Sequence, residues 1–193
     1  MEATMSGVHS ENFVVKEFDE FKNWTTIRHK NDVGTLGAHV QNDPIETFYQ
    51  ISFTMMRRKS ADFDIAGIHA TIKNNRDWFQ ANEGELIFNC DQENIALKFT
   101  DGSQDTEMFD HGIQCIEYGL YEMSLDQLKK ICEANTLKIR LSGAIHKIDW
   151  MNDNNFTIKL QRHFRQFYNN VYDSSSYVDK IAEPKSGCFI ATA

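Results

Sequence analysis

The sequence predicts a mainly β, α+β fold: an antiparallel, β-sandwich-like core carrying two α-helices. Three observations predict it. Apolar and polar residues alternate with period two in short runs separated by Gly, Asn and Asp clusters, the mark of half-buried strands joined by turns. Only two stretches carry the 3.6-residue period of a helix, and strands do not alternate regularly with helices as a parallel α/β sheet would require. At 193 residues, 41% hydrophobic and 12% aromatic, the chain can bury one good core, and one domain fits better than two.

Residues 1–12 are polar and read as a loose N-terminus, with the globular domain expected over 13–173. Phe13-Val14-Val15 starts a weak strand, and Asp19-Glu20-Phe21 leads into the strand formers Trp24 to Arg28. Gly34, Gly37, Asn42-Asp43 and Pro44 mark turns around a short Leu36-Ala38-Val40 alternation. From Glu46 to Arg57, Thr47, Tyr49, Ile51, Phe53 and Met55 fall on one face of a long strand, and that face is core. Ile68, Ala70 and Ile72 give a second strand, in which Gly67 allows a bulge or a close backbone approach.

The clearest hairpin pairs Leu86-Phe88-Cys90 with Ile95-Leu97-Phe99 across a turn at Asp91 to Asn94. Asp101 to Asp105 reads as a polar loop, and Ile113 to Met123, apolar on both faces, as a central strand. Ser124-Leu125-Asp126-Gln127 is a capping box that opens a helix with a buried stripe of Leu125, Leu128, Ile131 and Cys132, and Asn135 suits a left-handed C-terminal position. Leu137, Ile139 and Leu141 alternate with polar residues in a strand stopped by Gly143. The cluster Asn152 to Asn155 offers N-caps for a second helix whose face is Leu160, Phe164, Phe167, Tyr168, Val171 and Tyr172. Ser174-Ser175-Ser176 and Pro184 belong to a polar linker, and 174–193 is read as linker and tail.

A formal net charge of -8 weighs against nucleic acid, because phosphate binding rests on clustered Lys and Arg. Arg57-Arg58-Lys59 reads as a positive edge or turn, and Lys159, Arg162, His163 and Arg165 as the solvated side of a helix. No run approaches the roughly 18 apolar residues of a membrane span and Met1 to Glu20 lacks an apolar signal core, so a cytoplasmic chain is expected. Cys90, Cys115, Cys132 and Cys188 are widely spaced with no C-x-x-C pair, which points to reduced, buried thiols for the first three rather than a disulfide framework.

No catalytic, cofactor or metal motif emerges. His111 and Cys115 are close enough in sequence to suggest a thiolate and its base, with Asp110 to orient the imidazole, but a cysteine on a central strand points into the core. The seven histidines include no i, i+4 pair on a helix, and the ten glycines form neither G-x-G-x-x-G nor a P-loop, so no cofactor is expected. Trp78-Phe79, in a turn-rich stretch, is read either as a cap on the core or as an exposed anchor on an interaction surface. Cys188, on an apolar tail beyond the linker, is read as a thiol open to modification or as part of an inert leader.

Cys188-Phe189-Ile190-Ala191-Thr192-Ala193 resembles the start of the CFI-box C-terminal motif, which follows unrelated domains in bacterial proteins. The resemblance implies a bacterial source and a modular construction, carries no activity, and suggests a chain truncated after Ala193. Asp19 to Thr26 and Ser124 to Ile131 are similar to segments of an uncharacterised bacterial β-rich domain, from which no functional residue transfers. The expectation is a non-catalytic domain that binds a protein or small ligand. The alternatives are a hydrolase-like enzyme with a loop-assembled site, and an adaptor attached to the membrane or envelope through its tail.

Overall fold

The computed structural model describes residues 14–30, 32–39, 48–109, 112–144, 146–151 and 155–172. The strands are β1 (Val14–Asp19), β2 (Trp24–His29), β3 (Val33–His39), β4 (Phe48–Lys59), β5 (Asp64–Asn74), β6 (Glu85–Cys90), β7 (Glu93–Phe109), β8 (Gly112–Met123), β9 (Leu137–Ser142) and β10 (Lys147–Trp150). The helices are α1 (Leu125–Glu133) and α2 (Asn155–Val171). The strands make one antiparallel sheet in the order β1-β2-β4-β5-β8-β7-β6-β9-β10, with β3 also on β4. The fold is therefore mainly β with two α-helices, and the facing layers of the expected sandwich are two halves of a single sheet.

Distance shows that the sheet curls back on itself. From β4 to β10 there are six strand-to-strand steps, about 29 Å if the sheet were flat at ~4.8 Å per step. Yet the rings of Phe53 on β4 and Trp150 on β10 lie 6.1 Å apart. The space inside the curl is filled by α2, whose Phe156 sits 5.7 Å from Phe53 and 4.9 Å from Trp150, and whose Phe164 meets Phe88 of β6 edge-on at 5.5 Å. Helix α1 packs on α2, which caps it: Gln161 donates to the carbonyls of Ile131 and Ala134, and Arg165 to that of Cys132. A cationic donor on a helix C-terminus satisfies orphan carbonyls and complements the helix dipole.

Strand β7 joins the halves. Its first part pairs β6 over Glu93–Lys98 and its second pairs β8 over Phe99–Phe109, with a register shift between Phe99 and Asp101 where the strand bends. The chain thus builds one half with β1 to β5, crosses to the other with β6, returns with β8 and crosses again for β9 and β10.

Three local expectations are corrected. Asp101 to Asp105 is strand, not loop, because its backbone pairs with β8 along the whole stretch, while all its side chains are exposed. The hairpin turn is two residues, Asp91 and Gln92 at φ 48° and 77°, and pairing resumes at Cys90–Glu93. Both central residues of such a turn need positive φ, the geometry whose twist matches the strands. Asn135 is not left-handed; α1 ends at Ala134 in extended geometry, because the Asp91 carboxylate accepts from the amides of Asn135 and Thr136 at 3.0 and 2.8 Å. The capping box at Ser124 forms as expected, with Gln127 N–H donating to Ser124 Oγ at 3.2 Å and Ser124 N–H to Gln127 Oε1 at 2.8 Å. Gly67 marks a close approach, since a Cβ there would lie 3.2 Å from Leu120 and 3.3 Å from the Tyr121 carbonyl.

The expected loose N-terminus, Thr47, Asn152 to Asn154, and the linker and tail with Cys188 lie outside the described residues, as do Asp110 and His111.

Candidate functional site

Alternation on β4 and β5 produces two unlike faces. Ile51, Phe53, Met55, Ile68, Ala70 and Ile72 enter the core, so Ser52, Thr54, Met56, Arg58, His69 and Thr71 face the other way. Register brings these together: Thr54 opposes His69, Ser52 opposes Thr71, and on the neighbouring strand Arg28 opposes Met56 and Thr26 opposes Arg58. Arg28, Asp32, Thr54, Met56, Arg58, His69 and Thr71 line a cavity of about 340 Å³ on this outer face.

Each charged group in the cavity is oriented by a partner. Arg58 lies over the indole of Trp24, 5.0 Å from its centroid, and Trp24 is braced edge-on by Phe63 at 5.8 Å. A cation over an indole face is held there by the ring quadrupole. The Arg58 Nε is buried and finds no acceptor among the described residues. Arg28 donates to Glu17 at 3.0 Å, which leaves the rest of its guanidinium fork available. Thr54 donates to Asp32, and Ser52 donates a longer bond to the same carboxylate at 3.5 Å. His69 stacks on Tyr118 of β8 with centroids 5.8 Å apart. Burial pushes the His69 imidazole below the ordinary histidine range, Asp32 opposes that shift, and Arg58 and Arg28 reinforce it.

The sequence cue for this site is Arg57-Arg58-Lys59, read from the pattern as a positive edge or turn. Strand alternation separates the two arginines. Arg57 turns to the core side, where it donates to the Asp64 carboxylate and to the Val171 carbonyl at 3.0 Å and lies 4.3 Å from the Tyr172 ring centroid. Arg58 turns to the cavity.

The other residues singled out in the sequence are dispersed. Cys90, Cys115 and Cys132 are buried and unbridged, and burial raises all three thiols, Cys90 to about 11 and Cys132 to about 12. Such thiols are poor nucleophiles at neutral pH. Phe79 is the core cap of the two readings, fully buried and edge-on to Tyr49 at 5.2 Å, while Trp78 beside it is half-buried. No group of three His, Cys, Asp or Glu placed to hold a metal occurs among the described residues.

One residue escaped the sequence reading. Glu117, 4% exposed, accepts from three successive amides, Phe79, Gln80 at 3.0 Å and Ala81 at 2.9 Å, and so pins the loop that carries Phe79 onto β8. A carboxylate midway along a strand read as buried on both faces was the available signal. Among the described residues no helix is long and apolar enough to cross a membrane. No family model matches the chain, and no curated protein or solved structure matches it either.

Proposed function

We propose that this chain is a binding domain that takes a small anionic ligand, a carboxylate, phosphate or sulfate, into the cavity between β2, β4 and β5. The observation that carries the reading is the Arg58 guanidinium, held over Trp24 at the wall of a cavity that Arg28 and His69 also line. Arg28, His69 and Thr71 surround the same space with further donors, and a fixed fork suits a planar or tetrahedral oxyanion better than a flexible ammonium would. The volume lies at the small end of ligand sites, which argues for a compact molecule.

The test follows the Arg58 Nε–Hε resonance by NMR while inorganic phosphate, and separately acetate, is added. A saturable shift that disappears in Arg58→Gln and survives in Lys73→Gln, on the same strand face beyond the cavity, supports the reading. Absence of saturation with both anions, or an unchanged response in Arg58→Gln, rejects it. Loss of one charge-assisted bond of about 1.5–3 kcal/mol weakens binding roughly 10- to 150-fold. The bound anion should also raise the His69 pKa, since it favours the imidazolium.

A further inference from the structure

Beyond Phe99, β7 is paired with a strand on one side only, and the short turn Ala81–Glu83 also contacts β7. The strand pairs β8 over Phe99–Phe109, while β6 ends its pairing at Lys98, so among the described residues the other edge of β7 carries no strand. Such an edge is a template for another chain unless it is guarded. Its side chains are sorted by alternation. Asp101, Ser103, Asp105, Glu107 and Phe109 lie on one face, and Gly102, Gln104, Thr106 and Met108 on the other. Among the described residues no ion pair involves Asp101, Asp105 or Glu107; Asp101 and Asp105 accept only from the amides that follow them, each at 2.8 Å.

Charge on the edge would serve as a guard, but a guard does not need the apolar end of the ribbon. Met108 and Ile113 are direct cross-strand partners, 83% and 51% exposed, and Phe109 next to them is 55% exposed. Large apolar side chains gathered at the tip of a projecting two-stranded ribbon mark a contact surface.

We infer that the free edge of β7, Asp101–Phe109, receives an extended segment of a partner protein that alternates basic and apolar residues. The added strand takes its main-chain bonds from the open edge. Its Lys or Arg side chains face Asp101, Asp105 and Glu107, and its apolar side chains lie on the face of Thr106 and Met108, with Met108–Ile113 as the anchor. Main-chain pairing supplies affinity in strand addition, and the alternate side chains supply the choice of partner. A second copy of this chain fits poorly, because edge-to-edge pairing sets one acidic row against another, and the net charge of -8 adds to the repulsion.

The inference goes beyond the anion cavity and is tested apart from it. A fluorescent synthetic peptide of alternating Lys and Val is titrated against the full chain by anisotropy, beside an otherwise identical peptide with Glu for Lys, and amide hydrogen exchange is measured with the Lys peptide bound. Saturable binding of the Lys peptide only, with slowed exchange at alternate amides between Asp101 and Phe109, is the expected result. Asp105→Lys/Glu107→Lys should weaken the Lys peptide at least tenfold and admit the Glu peptide. Met108→Ser should weaken the Lys peptide, and Arg58→Gln should leave its affinity unchanged. The thermal melts of the Asp105→Lys/Glu107→Lys and Met108→Ser variants, whose substituted side chains are exposed, should match wild type. No binding, equal binding of the two peptides, binding without protection of β7, or self-association through this edge in place of peptide binding overturns it.

Discussion

The imidazoles of His29 on β2 and His163 on α2 face each other with centroids 4.7 Å apart, and His29 is 1% exposed. Burial, then His29 and Arg162, push His163 down from 6.5 to about 4. The unfolded imidazole therefore takes its proton near pH 6.5, while the folded one waits until about pH 4. Stability from this site is complete above pH 6.5, declines as pH falls toward 4, and is level below that. For a half-buried group the loss is about 1–2 kcal/mol after solvent screening is allowed for. Urea unfolding of wild type and His163→Gln at pH 7 and pH 4.5 checks it: the variant should lose less stability on acidification. Equal losses would place the pH sensitivity elsewhere.

Glu117→Gln leaves three amides facing an amide group in place of a carboxylate. Exchanging charge-assisted acceptance for weaker, partly mismatched bonding should cost about 2–3 kcal/mol. Chemical denaturation gives the cost, and hydrogen exchange at Phe79, Gln80 and Ala81 should quicken before exchange in β4 does.

Tyr121 is fully buried beside Phe99, with centroids 6.0 Å apart, and its hydroxyl has no hydrogen-bond partner among the described residues. Burial drives its phenol well above the ordinary range, so the group is neutral across the working pH. Tyr121→Phe removes an unpaired polar atom at nearly constant shape. It should leave stability unchanged or raise it by about 1 kcal/mol, and a fall in the melting temperature would mean that the hydroxyl has a partner.

A Cβ at Gly143 would lie 1.9 Å from the Phe79 carbonyl oxygen and 2.9 Å from its ring. The oxygen belongs to the loop that Glu117 holds, so it cannot move aside cheaply. Gly143→Ala should destabilise by about 2–4 kcal/mol, read as a lower melting temperature that a second substitution, Glu117→Gln, partly masks because the loop is then free to shift.

The core was legible because its rule is local. Tyr49, Ile51, Phe53 and Met55 repeat every second residue, and Ser124 and Gln127 lie within one turn of each other, so each pattern is visible without knowledge of the fold. Strand Asp101–Phe109 was not legible: its polar side chains all meet water, and it is a strand only because β8 offers a backbone edge. Asp91 looked like turn punctuation and also proves to hold the segment that leaves α1, through the amides of Asn135 and Thr136. The cavity was hidden for a related reason. Arg57 and Arg58 are indistinguishable in composition, and only the placement of β2 beside β4 makes one a brace for α2 and the other a wall of the site.

Because the chain weaves between the halves of its sheet, neither half is a contiguous piece of sequence. A ribosome releasing it from the N-terminus delivers β1 to β5 well before β8 can pair with β5, and the apolar filling of the curl, Phe156, Leu160, Phe164 and Phe167, comes only with α2. Until then the concave surface has nothing to close on. The nascent chain should therefore stay protease-sensitive through most of its synthesis and rely on holding factors, and it should become resistant in one late step once residue 171 clears the exit tunnel.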